Sequence, residues 1–240
     1  MKDVVAELAP TGVLRAGINL SNFLLVTGKG ANGDPEGVSP SLAAEIAKRL
    51  GVPIRYVTFP RPGELADQAG KGVWDIGLIA AEPQRAEAIH FSPAYVEIEA
   101  TYLVPAGSPI RNLEEVDRPG RRIAVAARSA YDLWLSRNVS HAELVRAPSL
   151  EAATKLFREE KLDALAGLRP GLLADVDTMP GARILDGRFT SVQQAVGTAK
   201  ANAAGAAFLT SFVEEAKASG LIQRLIDRHR VRGLTVAQPA

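Results

Sequence analysis

The stretch that decides the fold is GVWDIGLIAAEPQRAEAIHFSPAYV, Gly72 to Val96. Its first part, Val73 to Ala81, is a nearly continuous apolar run, as expected of a parallel strand buried on both faces. Glu82 and Pro83 then open a helix in this reading, since proline in a first turn forgoes no needed N–H. Arg85 follows two residues later, and Phe91-Ser-Pro-Ala-Tyr95 reads as an aromatic entry into the next strand. A site that holds an anion would use this corner. A helix N-terminus favours an anion by ~0.3–1 kcal/mol, and an arginine fork matches a carboxylate at roughly 1.5–3 kcal/mol per bond. By spacing alone, Arg85 equally fits an ordinary surface pair with Glu82 or Glu87.

Upstream, the same style of segment occurs. VLRAGINL, Val13 to Leu20, reads as a strand, and the polar loop TGKGANGDPEG follows. In SPSLAAEIAKRLG, Ser39 is the expected N-cap with Pro40 at the first helical position. Leu42, Ile46 and Leu50 recur at helical spacing, and Gly51 closes the helix. Ile54–Phe59 reads as a strand and the residues around Glu64 to Ala69 as a short helix. The order is β-α-β-α-β, so an α/β fold with right-handed crossovers is expected.

Downstream of Tyr102 the pattern restarts. Arg121 to Ala127 is a strand, RSAYDLWLSRN a helix, AELVRAP a strand, SLEAATKLFREEK a helix capped by Ser149, and Leu162 to Leu168 a short buried strand. The last third reads as two helices split at Gly220, the first with Phe208, Leu209, Phe212, Val213 and Ala216 along one stripe. The final helices have no strands of their own and are expected to return to the first unit. The expected organisation is residues 1–103 plus 192–240 as one lobe and 104–191 as the other, two Rossmann-like lobes joined by two crossover strands. A hinged cleft between such lobes would bind a small ligand near the carboxyl ends of the strands.

Composition narrows the function. The chain has 240 residues, 47% hydrophobic and 23% charged, which suits a globular core. A net charge of +1 argues against a nucleic-acid partner. The chain lacks cysteine, which excludes disulfides, thiol nucleophiles and thiolate metal sites. The three histidines, His90, His141 and His229, are not at metal-ligand spacing. No P-loop spacing and no G-x-S-x-G occurs, and no catalytic residue or cofactor is expected. MKDVVAELAPTGVLRAGIN holds no apolar run of secretory length. A leader already removed and a protein that is not exported both fit.

The succession GVSPSLAAEIAKRLG, GVWDIGLIAAEPQRAEAIHFSPAYVEIEATYLV, RRIAVAARSAYDLWL, KLDALAGL and VGTAKAN resembles the bacterial solute-binding proteins of polar-amino-acid ABC transporters. The resemblance runs from about Leu14 to Asp227 and is most specific between Asp75 and Tyr95. It implies a periplasmic binding protein-like type II fold, a periplasmic location, a monomer, and a transporter permease as partner. It also implies that Arg85 grips a ligand carboxylate.

The departures from the family pattern are informative. Leu78, Ala80 and Glu82 stand where the pattern has strand-end Ser and Thr; Glu82 would repel a close anion or neutralise Arg85. Asn19 stands where an Asp is frequent, and Asn22 beside Phe23 where an aromatic is frequent. Arg128-Ser129 replaces a Gly-Thr or Gly-Ser, and Tyr131 follows at a position that faces the cleft in relatives. Leu168 and Arg169 fall where an Asp accepts the ligand ammonium. Arg128 and Arg169 also fit plain exposure at loop ends. Gln193 and Gln194 lie near the second crossing, where strand alternation turns one of them toward the cleft; Gln193 is taken as that residue. Arg61-Pro62 is a weaker candidate, and Trp74 reads as packing.

An ammonium without a carboxylate partner is costly to bury. The expected ligand is therefore a carboxylate-bearing solute, an amino acid or a related organic acid, including acids without the amine and di-acids. Two other functions share the scaffold. One is a dehydratase acting on cyclic carboxylic acids, with Glu82 as general acid. The other is a ligand-sensing domain that works without a transporter.

Overall fold

The computed structural model describes residues 1–240. The chain divides into two compact units, residues 1–97 with 193–240, and residues 98–192. The chain passes between them twice, inside the strands Val96–Val104 and Thr190–Ala199. The first passage falls at 97/98, six residues before the boundary read from the sequence, because one unbroken strand serves both units. Its start, Val96 and Glu97, pairs with Val236 and Thr235 of the first unit, and its later part, Ala100 to Leu103, pairs with Leu168 to Leu165 of the second.

In the first unit, Leu14–Asn19 lies between Ile54–Phe59 and Ile76–Ala80, parallel to both. The returning strand adds antiparallel on Ile76–Ala80, with Gln194 opposite Ala80 and Thr198 opposite Ile76. Ile76–Ala80 is buried at all five positions, as its apolar run requires. Leu14, Ile18, Leu42, Ile46, Val196, Leu209, Phe212 and Ile222 build the core on one face. Leu65, Trp74, Ile79 and Ile89 pack the other. Trp74 is a packing residue whose indole N–H donates to the Leu65 carbonyl at 2.9 Å. Gly77 allows that packing, since a Cβ there would stand 2.9 Å from Leu65 Cδ2.

The second unit repeats the scheme. Arg122–Ala126 lies between Ala164–Leu168 and Glu143–Ala147, parallel to both, and the crossing strand closes the far edge antiparallel. Leu103, Ala124, Phe157, Leu165 and Leu172 form its core. Ser149 caps its helix as read, accepting from the N–H of Ala152 at 3.1 Å, and Ser129 caps the preceding helix, accepting from the N–H of Asp132 at 3.2 Å.

Three local expectations are corrected. The helix read from Pro40 begins at Val38, with Gly37 rather than Ser39 as its N-cap. Gly37 has φ 148°, and a Cβ there would lie 2.2 Å from the Leu25 carbonyl oxygen. Ser39 instead donates its N–H to that carbonyl at 3.1 Å, pinning the 22–26 loop. The helix expected after Glu82-Pro83 is a single 3-10 turn, Arg85–Glu87. It has no room to extend, because Ile89–Phe91 immediately pairs with Ala199 to Gly197. A helix absent from the sequence reading, Arg169–Val176, follows the strand Ala164–Leu168 directly. No helix is long and apolar enough to cross a membrane.

Candidate functional site

In open parallel sheets, ligands gather beyond the carboxyl ends of the strands. In the first unit those ends are Asn19, Phe59 and Ala80. Arg85 belongs to this corner. It is buried, 6% exposed, and its Nη1 donates to the Ala80 carbonyl at 3.0 Å. A buried cation is costly unless hydrogen-bonded. The turn that carries Arg85 is itself tied down: Ala86 N–H donates to the Glu82 carbonyl at 2.9 Å, and Ala81 N–H to the Gln193 carbonyl at 2.8 Å. The guanidinium is thus fixed against the strand end rather than spread over the outer surface, and the macrodipole of a long helix plays no part here.

The other polar and aromatic candidates of the first unit divide by role. Asn19 closes a turn, its Oδ1 accepting from the backbone N–H of Ser21 at 3.1 Å and its hydroxyl at 2.7 Å. Asn22 is buried and its Oδ1 accepts from the N–H of Leu24 and Leu25, so its carbonyl oxygen builds the loop. Phe23 is the exposed aromatic of that loop, 45% accessible. Arg61 stands at the N-cap position of the next helix and pairs with Glu64 at 2.7 Å. Glu82 is half-buried and lines a concavity of about 560 Å³ in the first unit, together with Pro83, Ile89, His90, Phe91 and Lys200. Gln193 is half-buried and Gln194 buried on the returning strand.

In the second unit the strand ends carry Arg128, Ser129 and Arg169. Arg128 has φ +61°, a conformation that disfavours any side chain, and its N–H donates to Asp132 Oδ2 at 2.7 Å. Ser129 Oγ donates to the Ala126 carbonyl at 2.8 Å. Tyr131 is buried; burial pushes its phenol well above the usual range, with Ser129 opposing that shift by hydrogen bonding. Arg169 is not a lone cation: its Nε donates to Glu99 Oε2 at 2.8 Å and its Nη2 to the Gly187 carbonyl. Arg188 Nη1 approaches the other oxygen of the same carboxylate at 3.7 Å.

Glu99, the partner of Arg169, is a residue that the sequence reading did not single out. The signal was present: Val96, Ile98 and Ala100 are buried, and the alternation sends Glu97 and Glu99 to the other face. Asp75, where the most specific part of the resemblance begins, is structural. It takes a bidentate pair from Arg15, Nη2 to Oδ1 at 2.7 Å and Nε to Oδ2 at 3.0 Å, and also accepts the Arg15 N–H. No group of three or more His, Asp or Glu side chains is placed to hold a metal ion.

Two α/β units joined by a double strand passage, each with polar side chains at its strand ends, define a ligand-binding protein of the periplasmic binding protein-like type II class. The chain belongs to the bacterial extracellular solute-binding proteins, family 3, whose profile it matches over residues 19–231. Among solved structures it is similar to a mutant of ArgBP from T. maritima, at 23% identity, covering 95% of this chain and 99% of that one, with a TM-score of 0.75. It is similar to an amino acid ABC transporter substrate-binding protein from Streptococcus pneumoniae bound to L-arginine, at 18% identity, 98% and 99% coverage, and a TM-score of 0.74. A third likeness is to the ancestral amino acid-binding protein AncCDT-1, a precursor of cyclohexadienyl dehydratase, at 20% identity, 93% and 98% coverage, and a TM-score of 0.74. No curated protein matches the chain by sequence.

Proposed function

We propose that the chain is the substrate-binding component of an ABC transporter and binds a small carboxylate-bearing solute, an amino acid or a related organic acid, without transforming it. The two units act as the two lobes of the receptor. Arg85 receives the carboxylate; Ser129, Arg128 and Phe23 contribute from the strand ends and loops, with Gln193 at the second passage. The observation that carries the reading is the buried guanidinium of Arg85, fixed by the Ala80 carbonyl at the end of a fully buried strand. Such a group is pre-organised for a charged acceptor and loses little side-chain freedom on binding. Ligand uptake shifts an open–closed equilibrium, and a permease reads the closed form outside the cytoplasm. The protein acts as a monomer.

Native mass spectrometry of freshly purified protein, then a thermal-shift screen of amino acids, dicarboxylates, aromatic acids and polyamines, tests the reading. A ligand at 100 times its Kd stabilises the fold by about 2.7 kcal/mol. Stabilisation by carboxylates supports the proposal, whereas a response to polyamines alone contradicts it. A second reading, an enzyme of the dehydratase type, is favoured by Glu82, His90 and Lys200 lining one concavity. Formation of a dehydrated product from cyclic hydroxy acids, lost in Glu82→Gln, would select it.

A further inference from the structure

Resting on the carboxylate reading above, we propose that the second unit selects solutes that lack an α-ammonium group, because Glu99 at its strand-end corner is already held by two arginines. The strand Ala164–Leu168 ends with Leu168 opposite Ala100, which puts Arg169 and Glu99 side by side one residue further on. Arg169 occupies Oε2 of Glu99 at 2.8 Å, and Arg188 stands 3.7 Å from Oε1. One negative charge therefore faces two positive ones. An incoming ammonium would find one carboxylate oxygen hydrogen-bonded to Arg169 and would meet two guanidinium charges around the other. Like charges at such range repel, and an ammonium drawn out of water without its own acceptor is costly.

The other acid near these strand ends offers no alternative. Asp132 is buried, with Oδ2 accepting from the Arg128 N–H at 2.7 Å and Oδ1 from Arg146 Nε at 2.9 Å. Asp186 is exposed in the turn that carries Gly187 and Arg188; a variant of it serves as the internal control. The corner thus presents guanidinium donors to whatever part of the solute faces it. A neutral or anionic tail suits it, so an amine-free mono- or dicarboxylate is the matching class.

Isothermal titration of the full chain with matched pairs tests this. The pairs are glutarate against L-glutamate, 5-guanidinopentanoate against L-arginine, and 6-aminohexanoate against L-lysine, which differ only in the α-amine. In each pair that binds, the amine-free acid is expected to bind at least tenfold tighter. Leu168→Asp, which adds a carboxylate at the corner, and Arg169→Gln, which releases Glu99, should each shrink that preference at least tenfold; circular dichroism and melting establish that they fold. Asp186→Asn should leave it unchanged. Equal or tighter binding of the α-amino members overturns the proposal. So does a preference untouched by both Leu168→Asp and Arg169→Gln, or one abolished by Asp186→Asn. Arg85→Ala separates the two levels. If it weakens both members of a pair, the carboxylate reading stands whatever the preference; if affinity survives it, that reading falls even where the preference holds. Silence of every pair overturns the proposal, and the carboxylate reading falls with it only if every carboxylate of the thermal-shift screen is silent as well.

Discussion

Replacing Arg128 by glycine should make the protein more stable while making it a poorer receptor. Arg128 sits at φ +61° just before the helix Ala130–Asn138. A side chain in that left-handed conformation costs about 1–2 kcal/mol, which glycine does not incur. Against this, glycine loosens the unfolded chain by about 0.4–1 kcal/mol. The backbone bond that holds the turn, Arg128 N–H to Asp132 Oδ2 at 2.7 Å, needs no side chain and survives. The expected balance is a gain of about 0.5–1 kcal/mol, which for a chain of this size raises Tm by about 2 °C. Differential scanning calorimetry of the ligand-free protein measures it. The same variant loses a guanidinium at the strand end, so affinity for a carboxylate solute should fall, by about tenfold for one charge-assisted bond. A lower Tm would show that the arginine side chain anchors the turn and that the strain argument is wrong. Stabilisation with unchanged affinity would remove Arg128 from the site.

Three further outcomes follow from the packing. Gly37→Ala forces a Cβ to within 2.2 Å of the Leu25 carbonyl oxygen; a loss of about 3 kcal/mol is expected in urea denaturation, and a loss below 1 kcal/mol would mean the loop yields easily. Asp75→Ala strips the largely buried Arg15 of its bidentate partner; breaking a buried pair costs about 3–5 kcal/mol, and a near-neutral variant would show that water reaches Arg15. His229, bonded to Ser41 Oγ at 2.9 Å, has its pKa held below the usual value, first by burial and then by Arg228. Its stabilising effect is therefore full above pH ~6.5 and declines as pH falls through that value toward the lower folded-state pKa, because the unfolded chain protonates first. Melting of His229→Gln across pH 5–8 should show a shallower loss on the acid side than the parent; an identical slope contradicts the assignment.

Much of this fold is written in local pattern. The apolar run Val73–Ala81, the alternation in Glu97 and Glu99, the serine caps at Ser129 and Ser149 and the glycine stops at Gly51 and Gly220 all follow from short-range chemistry. What the pattern hides is pairing at a distance. The turn at Arg85–Glu87 stays short because Ile89–Phe91 is claimed by residues more than a hundred positions later. Arg169 looks like a loop cation until a strand 70 residues earlier brings Glu99 against it. Asn22 has the composition of a ligand group, and its amide oxygen is taken by two N–H groups of its own loop. The helix Arg169–Val176 did carry a signal, Pro170 in its first turn. Gly171 behind it weakens any propensity reading.

At the centre of the proposed function stands a contact between Arg85 and a solute carboxylate. Titration calorimetry of the parent and of Arg85→Ala, with the tightest carboxylate from the screen, measures it most directly. Two charge-assisted bonds at roughly 1.5–3 kcal/mol each predict a loss of at least about a hundredfold in affinity, with circular dichroism unchanged. An affinity within threefold of the parent would mean that this guanidinium serves only to hold the end of its strand.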